Sequence, residues 1–220
     1  MDRRAILLLF AVLALASPSS PAQSPDPPPQ WKQFFASDFH KGLITRAFSG
    51  ISPTVLQRCP TLASKNSQIN IIHPVTFAAS GLPNAGTWRE SFPISGCGND
   101  TTLNFYFVAG SDEKVRTLVA FPGATRADPI LQKDAFTYAY MGASVAAKDC
   151  KTFEVKNTQF DGFGLINPPT PDPGPSERLR PWHETWVLVG CGRTFAVPLS
   201  FSPDATGTTI SQTAKDVVER

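Results

Sequence analysis

The chain has little with which to hold a metal, a phosphate or a nucleic acid. Its three histidines, His40, His73 and His183, are far apart and form no H-x-x-x-H or H-x-H pair, so no zinc site and no other metal site is expected. There is no P-loop and no dinucleotide fingerprint, so no cofactor is expected. A G-x-S-x-G elbow for a serine nucleophile is also missing. Charge is sparse and balanced, with 20 basic against 18 acidic residues. The densest basic cluster is Arg178 and Arg180 beside Glu177, too small for the basic stripe of a nucleic-acid-binding surface. Beyond residue 16 no apolar run approaches membrane-spanning length, so no membrane span is expected once the leader is removed.

The start of the chain reads as an export signal. Arg3 and Arg4 precede an apolar run at 5–16, too short to cross a bilayer, and then a region of small residues and proline. Cleavage could follow Ala16 or Ala22; the second leaves Gln23 at the new terminus and is preferred, giving a signal over 1–22. It removes Asp2, Arg3 and Arg4 and leaves 18 basic and 17 acidic residues. The adjacent arginines match only a fragment of the twin-arginine signature, and no cysteine precedes Cys59 for lipidation of the bacterial lipoprotein type. The expectation is a periplasmic or secreted protein. In a eukaryotic host, Asn99 with Thr101 would form a glycosylation acceptor.

The richest signal is internal. The pattern W-x-E-x-[FW]-x-[IL]-x-G-C-G occurs at 88–98 and again at 182–192. Upstream, Cys59 followed by K-N-S-Q at 65–68 matches Cys150 followed by K-N-T-Q at 156–159, at the same spacing. An internal duplication follows as an expectation. Residues present in both copies most simply serve the fold; chemistry is more often carried by residues found in one.

Four cysteines in an exported chain imply two disulfides, and the duplication favours Cys59 with Cys97 and Cys150 with Cys191. No C-x-x-C redox pair occurs. Glycines flanking Cys97 and Cys191 fit strand ends that admit a close backbone.

Hydrophobic spacing then sets the elements. A Pro- and Ser-rich stretch at 23–30 reads as a disordered lead-in. Trp31, Phe35, Phe39 and Leu43 recur at fourfold spacing, predicting one helix weakened at Gly42 and stopped by Gly50. A second helix is predicted from an Asp128 cap and Pro129 through Tyr140 to Gly142. Strands are predicted at 69–76, 88–96, 101–108, 115–121 and 208–211, and along Val197, Leu199 and Phe201. The predicted fold class is therefore α+β: two tandem disulfide-stapled repeats, 31–127 and 128–220, each a helix followed by an antiparallel β-meander of three or four strands. The bridge at 122–127 is too short for a flexible linker, so the halves are expected to pack closely, and the proline-rich loop at 168–181 is read as a surface insertion.

Strand alternation puts Glu90 between Trp88 and Phe92, and Glu184 between Trp182 and Trp186, on the apolar face. A carboxylate there must be hydrogen-bonded, lie near an edge or be protonated. One reading is a tuned general acid or base, with His183 or His40 as partner. The other is a structural carboxylate, bonded to the repeated Lys65-Asn66 and Lys156-Asn157, and the duplication favours it. For binding, the non-repeated aromatics Trp31, Tyr138 and Tyr140 are the candidates, toward a protein, peptide or glycan partner. The expectation is an exported binding or envelope-associated structural module; its rival is a hydrolase-type enzyme using a Glu/His pair.

Overall fold

The computed structural model describes residues 29–51, 63–64, 66–96, 100–164 and 180–220. The expected signal, Cys59, Lys65, Cys97, Asn99 and the greater part of the proline-rich loop lie outside the described residues.

Helix α1 (Pro29–Ala36) starts on a proline, which suits a first helical position, so residues 29 and 30, read from the sequence as part of the lead-in, are helical. The helix expected to weaken at Gly42 breaks instead at Ser37. The Ser37 hydroxyl donates to Phe34 O (2.6 Å) and accepts from His40 N (3.1 Å), closing α1 and capping α2 (Asp38–Ser49) with one side chain. Gly42 is an interior residue of α2, and Gly50 caps its end.

Strands β1 (Ala63–Ser64), β2 (Gln68–Phe77), β3 (Pro83–Ser95), β4 (Thr101–Ala109) and β5 (Val115–Val119) form the first sheet. It is antiparallel: β1 and β2 lie along one side of β3, β4 along the other, and β5 outside β4. Trp88 pairs with Phe107, Glu90 with Phe105 and Phe92 with Leu103. Because partners across a ladder share a face, this register places all six side chains on the covered side. Helices α1 and α2 supply the cover. Trp31 and Phe34 meet Trp88 edge-on at 5.5 and 5.6 Å, and Trp88 stacks on Phe107 at 5.2 Å.

Helix α3 (Pro129–Ala146) opens as expected, with Asp128 Oδ1 accepting from Ile130 N and Leu131 N. It runs past Gly142, because Ala135, Ala139 and Ala143 form a small-residue stripe that keeps it seated on the second sheet. That sheet contains β6 (Glu154–Phe163), β7 (Trp182–Gly190), β8 (Arg193–Pro203), β9 (Thr208–Ser211) and β10 (Val218–Glu219). It too is antiparallel, in the order β6, β7, β8, with β9 and β10 both paired to β8. Trp182 pairs with Phe201 and stacks on it at 4.7 Å, as Trp88 does on Phe107.

The architecture is thus α+β with two antiparallel sheets and few helices. Buried apolar residues fall into two clusters, one built around Trp88, Phe105 and Phe107, the other around Trp186, Phe195 and Phe201. Among the described residues no helix is long and apolar enough to cross a membrane.

A disulfide joins Cys150 to Cys191, with Cα atoms 5.8 Å apart. Cys191 and Gly192 both have positive φ, 50° and 75°, in the two-residue turn between β7 and β8. A tight hairpin demands this, and glycine at the second position meets the demand without strain. Gly190 backs onto Thr152 O so closely that a Cβ there would lie 2.4 Å from it, which lets the turn reach Cys150. The two cysteines are 41 residues apart in sequence. Replacing both by serine is expected to lower the unfolding free energy by about 3 kcal/mol, read from urea denaturation, since the closed loop restricts the unfolded chain.

Candidate functional site

The two glutamates singled out by the repeated pattern are both buried, at 1% exposure for Glu90 and 0% for Glu184. A carboxylate so placed needs donors, and each finds them in a neighbour two residues away on its own strand face. Trp88 Nε1 donates to Glu90 Oε1 at 2.9 Å. Trp182 Nε1 donates to Glu184 Oε1, and Trp186 Nε1 to Glu184 Oε2, each at 2.8 Å. Among the described residues these indoles are the donors where bonds to Lys156, Asn157 and Asn66 were expected; Lys65 lies outside the described residues. Asn157 instead accepts from Thr101 Oγ1 at 2.7 Å, and Asn66 is exposed. The physical reason is reach: i and i+2 side chains on one strand face are adjacent, and the core-facing tryptophan presents its N–H to the carboxylate.

The remaining ligands differ between the two sites. Glu184 accepts Arg126 N at 2.8 Å, a backbone amide from the segment that crosses between the sheets. Glu90 lies beside His40 Nε2, at 2.9 Å from Oε1 and 3.2 Å from Oε2. His40 is brought there by the Ser37 cap, at the first turn of α2, and its ring is wedged among Phe34 and Phe35, with centroids 5.1 and 4.9 Å away. Its side chain is 12% exposed.

Of the candidate acid and base residues, then, the structure brings together His40 and Glu90 and keeps His183 from Glu184. His183 lies exposed on the opposite face of β7, its Nδ1 2.9 Å from Ser200 Oγ on the paired strand. Among the described residues no group of three or more His, Cys, Asp or Glu could hold a metal. The aromatic candidates separate as well. Trp31 is in the core, 5% exposed; Tyr140 packs on Phe136 and Phe153 and donates from its hydroxyl to Lys151 O at 2.8 Å; Tyr138 reaches the surface beside a hollow shared with Asp134 and Thr208.

The segment after β5 ties the two sheets together. Gly123 N donates to Thr102 O (2.7 Å) in β4, while Thr158 N donates to Pro122 O and Ala124 N donates to Thr158 O, both at 2.8 Å, in β6. The Thr158 hydroxyl adds a bond to Pro122 O, and Asn104 Nδ2 donates to Gly123 O at 2.9 Å. Gly123 has φ 108°, and a Cβ on it would lie 2.1 Å from Thr158 O. Only a glycine lets the two backbones approach this closely.

Above this crossing lies a cavity of about 310 Å³. Its floor is Leu103 and Phe105 from β4, and Phe153 and Val155 from β6, all buried. Phe121 and Phe136, with ring centroids 5.6 Å apart, form one wall; Ile51 and Val119 stand at the other. Phe121 also meets Trp186 edge-on at 5.4 Å, linking the cavity wall to the Glu184 cluster. Neither His40 nor Glu90 lines this cavity or the polar hollow beside the disulfide. In that hollow Arg193 hydrogen-bonds Asp149 and holds its carboxyl below the usual range.

The crossing residues and the cavity escaped sequence reasoning. The P-G pair at 122–123 signals a turn, yet its bonding to β6 joins positions 36 residues apart and has no local signature.

No protein-family model, curated protein or solved structure matches the chain.

Proposed function

We propose that this chain is an exported binding module, made of two copies of one α+β unit, that takes a small apolar ligand in the cavity between its sheets. The cavity carries the reading: it is apolar, it has contributions from both hydrophobic clusters, and its volume falls at the lower end of small-molecule sites, roughly 300–1,000 Å³. The two-copy reading is supported by the common order of helix, meander and W-x-E carboxylate in each half. In this reading both carboxylates serve the scaffold, which their burial and their indole hydrogen bonds support.

The test is titration of the exported chain with N-phenyl-1-naphthylamine, a neutral dye that brightens in apolar sites. Micromolar binding is expected in the native chain. Val119 is 45% exposed at the cavity mouth, so Val119→Trp should leave the fold intact and weaken binding at least about tenfold, some 1.4 kcal/mol. Undiminished binding in that variant would remove the cavity from consideration.

The 2.9 Å approach of His40 to Glu90 favours a second reading, a hydrolase-type enzyme in which the carboxylate orients the imidazole. Turnover of simple ester, peptide or glycoside substrates that vanishes in His40→Ala and survives in Val119→Trp would establish it over the first.

A further inference from the structure

The two halves of the joint at 122–124 each occur a second time in the molecule, at edges that hold no strand. The ladders of the two sheets match in register: Ser64 pairs with Ile94 as Val155 does with Leu188, Gln68 with Ser91 as Gln159 with Thr185, and Ile69 with Glu90 as Phe160 with Glu184. Ser67 therefore stands where Thr158 stands in the second sheet. The other half recurs as well. Gly123 N donates to Thr102 O, and Val218 pairs with Ala196; Thr102 and Ala196 each lie five residues before the phenylalanine that stacks on Trp88 or Trp182. Thus β10 holds on β8 the place that 122–124 holds on β4.

The outer sides differ. Segment 122–124 carries β6 there, whereas β10 has no strand beyond it among the described residues. Arg220 N donates to Thr194 O, so alternation turns Glu219 N and Val217 O outward, just as Ala124 N and Pro122 O are turned toward Thr158. Val218, unlike Gly123, is not at positive φ, so β10 is an extended edge that a strand approaches at normal spacing without needing a glycine. The outer edge of β2 also has no strand on it among the described residues, and every residue from Gln68 to Pro74 is exposed. Charge and proline usually guard such an edge, and 68–73 has no Lys, Arg, Asp, Glu or Pro. Ile69 is 44% and Val218 56% exposed, while Phe160, in the place of Ile69, is half-buried with the Arg126 guanidinium 5.7 Å from its ring centroid.

We infer that copies of this chain join head to tail through these two edges, resting, as the proposed function does, on the halves being copies of one unit. The Ser67 edge of one chain adds to β10 of the next. Ser67 N donates to Val217 O, Glu219 N donates to Ser67 O, and the Ser67 hydroxyl repeats the bond that Thr158 makes to Pro122 O. Because the two edges are different surfaces, each chain offers both, and the assembly stays open and grows by whole chains. So few paired residues make the contact weak and concentration-dependent.

Sedimentation velocity of the exported chain between about 5 and about 500 µM should show a weight-average mass that climbs past a dimer without a plateau. Ser67→Pro and Glu219→Pro each remove one outward N–H and none from the β3 or β8 ladder, so each alone should stay monomeric with the native circular dichroism spectrum. Mixed in equal amounts, the two should form a dimer and nothing larger, since one complementary edge survives on each; a misfolded variant could not do this. A native chain that stays monomeric, a plateau at a dimer, variants that associate as the native chain does, or a mixture of folded variants that stays monomeric would each overturn the joint. Neither Ser67 nor Glu219 lines the cavity, so dye binding by a monomeric chain would leave the proposed function standing.

Discussion

Glu184→Leu is expected to lower the unfolding free energy by about 5 kcal/mol, the sum of several stranded donors. Three N–H groups converge on this carboxylate, from Arg126, Trp182 and Trp186, at a residue with no solvent exposure. Leucine fills most of the volume but accepts nothing, so each donor keeps its desolvation cost without a bond. Glu184→Gln separates shape from charge. One amide oxygen still serves Arg126 N and Trp182 Nε1, but the NH2 group faces Trp186 Nε1, donor against donor, and a loss of about 2–3 kcal/mol follows. Urea unfolding followed by tryptophan fluorescence gives both values. A Glu184→Gln chain as stable as the native one would mean that the carboxylate is not a structural acceptor, and the acid or base reading of that residue would return.

Gly123→Ala is expected to cost at least about 4 kcal/mol, in the range reserved for backbone positions that cannot accept a side chain. The added Cβ would lie 2.1 Å from Thr158 O, 2.5 Å from Thr158 N and 2.6 Å from Asn157 Oδ1. Two of these are backbone atoms fixed in the β6 ladder, so the crossing must retreat, and with it the bonds at Pro122 and Ala124. Ligand binding should fall in the same variant at denaturant-free conditions, because Phe121 and Pro122 line the cavity. An alanine variant with native stability and native dye binding would show that the sheets do not depend on this junction.

The sequence revealed what depends on periodicity. Alternation at 88–96 put Trp88 and Glu90 on the covered face, and the cap and proline at 128–129 marked the start of α3. Cys150 and Cys191 were paired by their place in the repeat, and the bond is present. It was less informative where one side chain does two tasks. Ser37 ends α1 and begins α2, and against the run of four-spaced aromatics a lone serine is a weak signal beside a glycine at 42. The Glu184 ligand set was partly legible, since tryptophans two residues away on a strand face are neighbours by geometry. The Arg126 amide was not, because a backbone donor has no residue type to read. His40 reaches Glu90 across 50 residues through the tertiary fold, and nothing in the local pattern points from one to the other.

The crossing at 122–126 also sets an order of events as the chain is made. The described residues that enclose Glu90, from Trp31 and His40 through Phe107, precede it, so the first sheet can close on its own helices while the second is still being synthesised. The second sheet has no such independence: Thr158 and Glu184 require Pro122, Ala124 and Arg126, which the first half has already anchored through Thr102 and Asn104. Growth from the N-terminus therefore delivers each later strand to a docking edge that is already in place. A rearranged chain beginning at Asp128 would reverse this, leaving the edge of β6 bare and the Glu184 carboxylate short of a donor until the last residues arrived.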